Sequence, residues 1–183
     1  MTVNHDFKHY LLAGLFIVSA GCSDAFGPIL TPLPAVREAV LVDFEGGDLV
    51  DPAAFDVLVS SAVRTDQTNS WDFLFLIDDS LGPVLLPRGG LLDQESTSGI
   101  QADTRAFEDI ERAPSAGYST EDAIPIAPGT VVTMISRQSP NFTVRCRLYG
   151  KLEVLSIEGT PARATFRFVV NPNCERRRVR EAE

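Results

Sequence analysis

Three cysteines are the residues of this 183-residue chain whose placement speaks most directly of chemistry: Cys22, Cys146 and Cys174. Both histidines, His5 and His9, precede the apolar run that begins at Leu11. The chain beyond residue 21 therefore carries no imidazole, which removes Ser-His-Asp and Cys-His nucleophile systems and every His-based zinc site. Neither a phosphate-binding P-loop, nor the dinucleotide pattern G-x-G-x-x-G, nor the nucleophile elbow G-x-S-x-G occurs. Carboxylates are what remain. Asp43, Glu45, Asp48 and Asp51 gather around Gly46-Gly47, and Asp78-Asp79 closes the run WDFLFLI. Oxygen-ligand Ca²⁺ binding and two-carboxylate glycoside hydrolysis are the chemistries such groups can perform, and neither has a diagnostic spacing here. Acidic turns are ordinarily solvated, so no catalytic residue, metal ligand or cofactor is assigned, and the chain reads as a non-enzyme.

Cys22 sits at the end of an address. Lys8 precedes the ten-residue apolar run Leu11–Ala20, which closes on the small residues Ser19, Ala20 and Gly21. A membrane-spanning helix needs about 20 apolar residues, so the run is too short to span and reads as an export signal. With its small residues directly before a cysteine, the segment resembles bacterial lipoprotein signals; Ser19 stands where those usually carry Leu. The resemblance implies lipidation of Cys22, and Ser23 after it implies sorting to the outer membrane. The rival is ordinary cleavage after Ala20, which Val18 and Ala20 also suit. Several acyl chains, at about 0.8 kcal/mol per buried CH₂, would anchor the chain effectively permanently. Such export leaves Cys146 and Cys174 as an even pair in an oxidising compartment, where a disulfide is the expected state.

The elements that must position these groups are mostly strands. Residues 1–21 are assigned to the signal, 22–35 to the lipidated cysteine and a Gly/Pro-bearing tether, 36–175 to a single β domain, and 176–183 to a charged tail. Val36–Phe44, Val57–Arg64, Trp71–Ile77, Val131–Arg137, Phe142–Ile157 and Ala162–Val170 read as strand runs. In the last, Ala162, Ala164, Phe166, Phe168 and Val170 share one face, and Arg163, Thr165 and Arg167 the other. Between Pro83 and Pro128, proline and glycine punctuate a long irregular segment in which only Asp103 or Thr104, followed by Phe107 and Ile110, suggests a capped helix of about two turns. The expected fold is a mostly β antiparallel sandwich or meander with one short helix. A three-residue hairpin loop at Gly159-Thr160-Pro161 would set Glu158 opposite Ala162, Val154 opposite Phe166 and Leu152 opposite Phe168. Continued, that ladder sets Cys146 opposite Cys174, unless a bulge at Gly150 shifts it by one.

Charge is uneven. Residues 22–136 carry a net −14 and residues 137–183 a net +5, within an overall −9. That balance argues against a nucleic-acid partner, which needs clustered Lys and Arg. Arg176, Arg177, Arg178 and Arg180 read as a solvated tail, with a basic patch for an anionic partner as the sharper alternative. Trp71, Phe73 and Phe75 share a parity that suits a core, Tyr118 and Tyr149 suit a half-buried rim, and Met134 suits gap-filling.

Taken in order, WDFLF (71–75), FEDIERAPSAGY (107–118), PGTVVTMISRQ (128–138), YGKLEVLSI (149–157) and ATFRFVVNPN (164–173) resemble the HmuY-like lipoproteins, a mostly β family of exported bacterial proteins, some of which capture haem. The chain is also similar to bacterial lipoproteins that end in NPNC followed by Arg. The resemblance implies a non-catalytic binding or surface protein of the cell envelope. It would hold a small hydrophobic ligand or a protein partner on the segment between Pro83 and Pro128. Ligation of haem by paired histidines does not carry over, because no position past residue 21 offers one. The competing readings are a structural envelope protein without a small-molecule ligand and a Ca²⁺-dependent carbohydrate-binding sandwich.

Overall fold

The computed structural model describes residues 30–92, 96–139 and 146–180. The signal, Cys22 and the first part of the tether lie outside the described residues, as does the start of the run expected from Phe142. Two five-stranded antiparallel sheets face each other. The first has β1 (Arg37–Val42), β10 (Arg163–Val170), β9 (Tyr149–Glu158), β8 (Val131–Ile135) and β6 (Gly99–Asp103) side by side in that order. In the second, β3 (Ser61–Val63), β2 (Ala54–Asp56), β4 (Phe73–Asp78), β5 (Gly82–Pro87) and β7 (Ile124–Pro125) follow one another. The mostly β antiparallel sandwich is therefore the fold.

Alternation decides what lies between the sheets. Leu41, Ile100, Val132, Met134, Leu152, Val154, Phe166 and Phe168 of the first sheet meet Phe55, Phe73, Phe75 and Leu85 of the second. Phe55 bridges the layers, its ring centroid 5.4 Å from Phe73 in its own sheet and 5.0 Å from Phe168 across the gap. Met134 is fully buried here. Opposite it in the ladder stands Gly150, where an added Cβ would lie 2.7 Å from the methionine Cε and 2.8 Å from the Val169 carbonyl oxygen, and the backbone contact is the one that demands glycine.

Both sheets also bury outer faces. Phe107, Ile110, Ala113 and Val179 cover Val131, Ile135, Tyr149 and Val169 on the back of the first sheet. Trp71, Leu74, Leu76 and Val84 form a cluster on the back of the second. Trp71 thus departs from the parity expected of it: the chain turns at Asp72 before β4 begins, so the indole packs with Leu74 and Leu76 rather than with Phe73 and Phe75.

Several expectations are corrected. The middle segment is less irregular than its proline and glycine content suggested, since it supplies β5, β6, β7 and a five-residue α1 (Arg88–Leu92). The helix expected after Asp103 is a single 3₁₀ turn, Phe107–Asp109, whose N-cap Ala106 offers no side-chain acceptor. Residues 176–180 are not a free tail, because Ala113 N–H donates to the Arg177 carbonyl and Val179 N–H to the Glu111 carbonyl, both at 2.8 Å, burying Val179. The β9–β10 register places Val154 opposite Phe166 and Leu152 opposite Phe168 as expected, but Glu158 opposite Arg163. The connection has four residues, and a bulge at Leu155, not at Gly150, restores the inner register.

Candidate functional site

Past the end of the β9–β10 ladder at Gly150–Val170, Cys146 and Cys174 meet in a disulfide, with Cα atoms 4.9 Å apart. Next to it the two sheets part around a cleft of about 650 Å³, whose walls include Leu58, Val59, Val63 and Leu148 and whose polar side carries Asp56 and Arg137. Arg137, just past β8, reaches across to the other sheet. Its guanidinium meets Asp56 bidentately, Nη1 to Oδ1 at 3.0 Å and Nη2 to Oδ2 at 2.8 Å, and Nη1 also donates to Asp72 Oδ2 at 3.1 Å. Asp72 further accepts the backbone N–H groups of Arg137 and Val57, each at 2.7 Å. Burial pushes the Asp72 carboxyl up to about 6, while the Arg137 charge and both N–H bonds pull it back. The cluster ties one sheet to the other, and its acceptors are already engaged.

A second buried charge lies on the back of the first sheet. Lys151 is 2% exposed, donates to the carbonyls of Phe107 at 2.6 Å and Ile110 at 3.0 Å, and sits 4.3 Å from the centre of the Phe107 ring. Burial pushes its ammonium down to about 8. It borders a small, mostly apolar cavity of about 240 Å³ shared with Leu33, Val36 and Val179.

A third concavity, about 460 Å³, lies where the N-terminal segment and the C-terminal run meet, and Arg112, Arg176, Arg177 and Arg178 line it. Its frame is the NPNC turn. Buried Asn171 donates from Nδ2 to the Arg178 carbonyl at 2.7 Å and accepts from Asn173 N–H at 2.9 Å. Asn173 and Thr31 exchange two hydrogen bonds of 2.8 Å, which fixes the segment leading toward the N-terminus.

The acidic turns serve the backbone. Asp43 Oδ1 accepts from Ile77 N–H at 3.1 Å, Asp51 Oδ2 from Asp48 N–H at 3.2 Å, and Asp78 Oδ1 from Ser80 and Leu81 N–H at 2.8 Å. Among the described residues no three His, Cys, Asp or Glu side chains converge on a common point. Tyr149 is buried and Tyr118 half-buried, with ring centroids 6.4 Å apart, on the covered back of the first sheet rather than at a rim.

Of the described residues between Pro83 and Pro128, Phe107 and Glu108 line the 240 Å³ cavity beside Lys151. Phe107, Ile110 and Ala113 lie flat on the first sheet, and none of the described residues of this stretch lines the 650 Å³ cleft. The residues that sequence reading missed, Asp56, Asp72, Arg137 and Lys151, are single charges in apolar runs whose partners are far along the chain. Among the described residues no helix is long and apolar enough to cross a membrane. No protein-family model, curated protein or solved structure matches the chain.

Proposed function

We propose that the protein is an exported lipoprotein of the bacterial envelope, held by a lipid on Cys22, that binds a partner without transforming it, in the manner of the HmuY-like proteins. The observation that carries this reading is the ten-residue apolar run ending in Ser19, Ala20 and Gly21 before Cys22. The way the chain enters the domain supports it: residues 30–33 run along the surface, pinned at Thr31 by Asn173, so the sandwich is suspended from its N-terminal end. The buried charges support the non-catalytic half, since Asp56, Asp72, Arg137 and Lys151 are engaged in joining elements. The cleft beside the disulfide, with Leu58, Val59 and Leu148, is the place for a small apolar ligand. The flat packing of 83–128 favours the second reading, an envelope protein whose partner is another macromolecule.

Labelling cells with radioactive palmitate tests the anchor. The wild-type chain takes up label and sediments with membranes, whereas Cys22→Ala takes up none. A wild-type chain that stays unlabelled and fractionates as a released protein overturns the reading in favour of cleavage after Ala20.

A further inference from the structure

We infer that the pocket lined by Arg112, Arg176, Arg177 and Arg178 receives the phosphate of anionic lipid headgroups and so turns this end of the sandwich toward the membrane. The inference rests on the anchored reading for its geometry. Arg112 reaches the pocket through an antiparallel bridge to Arg178, and the four arginines line a concavity of about 460 Å³ that no carboxylate lines among the described residues. Only Arg177 has a hydrogen-bond acceptor there, the Ala113 carbonyl at 3.3 Å, and among the described residues the side chains of Arg112, Arg176 and Arg178 have none. Nearby carboxylates are otherwise engaged: Glu111 pairs with Arg180 at 2.6 Å and Glu175 with Arg147 at 3.3 Å. Like charges gathered on a rigid frame repel one another, a cost that a bound anion removes. The guanidinium fork matches the oxygens of a phosphate.

The frame is rigid for identifiable reasons. The disulfide at Cys174, the Asn171 clamp on Arg178 and the pairing of residues 177 and 179 with 113 and 111 fix the run at several points. Position selects the source of the phosphate. Leu30, Thr31, Pro32 and Leu33 form the other wall, and Cys22 lies eight residues before Leu30, at most roughly 29 Å away in extended chain. A lipid on Cys22 holds this pocket near the bilayer, and the exposed Leu30 then faces the glycerol and acyl region.

The test uses the processed chain, residues 22–183 with Cys22→Ala, which carries every described element and has no lipid of its own. It is mixed with vesicles of phosphatidylglycerol, vesicles of phosphatidylcholine, or inorganic phosphate. The expected result is sedimentation with phosphatidylglycerol but not phosphatidylcholine, weakened by added salt. The triple variant Arg112→Gln, Arg176→Gln, Arg178→Gln should lose roughly a hundredfold in partitioning, at roughly fivefold per arginine. Arg163→Gln, at the opposite end of β10, should lose much less than any one of these. Equal thermal melts of the wild type and the triple variant separate binding from folding. Equal sedimentation with both vesicles, no sedimentation, or retention by the triple variant overturns the inference. Tight binding of inorganic phosphate without vesicle binding also overturns it, making the pocket a site for a soluble anion. Palmitate labelling is read separately: vesicle binding by an unlabelled protein removes the anchor and leaves the pocket.

Discussion

Lys151 and Phe107 are joined twice: the Lys151 Nζ donates to the Phe107 carbonyl at 2.6 Å and lies 4.3 Å from the centre of the Phe107 ring. The contact fastens the 3₁₀ turn to the sheet. A buried ammonium is a costly fastener, and burial holds it down at about 8 against an ordinary 10.5. Glu108 favours its charge, whereas Arg180, Arg167 and Arg105 oppose it.

Stability should therefore rise with pH over part of the alkaline range. Between about 8 and 10.5 the unfolded chain keeps the Lys151 proton and the folded chain has released it, so raising the pH favours folding. The neutral amine still has two N–H groups for the two carbonyls. Tyr118, whose phenol burial pushes well above its usual range, acts oppositely once unfolded tyrosines ionise near 10, which leaves a usable window of about 8 to 9.5. Urea midpoints should show a gain of about 1–2 kcal/mol across that window in the wild type and none in Lys151→Met. At pH 9.5 the methionine variant should be less stable by about 1–3 kcal/mol, from the two carbonyls it leaves unbonded. A parallel pH profile in both proteins would show that the amine does not titrate in the fold.

Lys151 also marks where sequence reading stops. It shares parity with Tyr149 and Glu153, the outward face of β9, so its place on a strand was legible while its burial was not. That face is covered by residues 107–113 and 176–180, held there by pairing between segments more than sixty residues apart. Local alternation carries no trace of such a strap. By contrast, Phe166 against Val154 and Phe168 against Leu152 were legible because a hairpin register is local. The 162–163 end was misplaced because the bulge at Leu155 and the longer connection compensate each other, and neither has a residue signature. The arginine pocket was half legible: the run at 176–178 was conspicuous, while the bridge that brings Arg112 to it was not.

Arg137, Asp56 and Asp72 should behave as one structural clasp. In Asp72→Asn the new amide must point its NH₂ at the N–H of either Val57 or Arg137, a donor against a donor, and the guanidinium loses one counter-charge. The expected cost is about 2–4 kcal/mol at pH 7. Arg137→Met should cost more, about 3–5 kcal/mol, because it strands two carboxylates that are each at most 4% exposed. Urea denaturation at pH 7 measures both. An Arg137→Met protein within about 1 kcal/mol of wild type would mean the cluster does not join the sheets.

The disulfide should contribute stability without shaping the sandwich. It closes a loop of sequence separation 28 that already contains the β9–β10 hairpin, so the hairpin brings the segments bearing Cys146 and Cys174 near each other and the bond fixes them. In the chain-entropy view, a loop of that separation is worth roughly 3 to 4 kcal/mol. For a domain of this size, this corresponds to roughly 10 °C in melting temperature. The protein carrying Cys146→Ser and Cys174→Ser should keep its β-rich circular dichroism spectrum and melt that much lower. Intact mass before and after reduction and alkylation should show one bridge in the wild type. The Arg176–Arg178 run lies just beyond Cys174, so the serine variant should also bind phosphatidylglycerol vesicles less tightly below its own melting temperature. A variant that melts with the wild type would show that the hairpin and the Asn171 clamp suffice to hold the run.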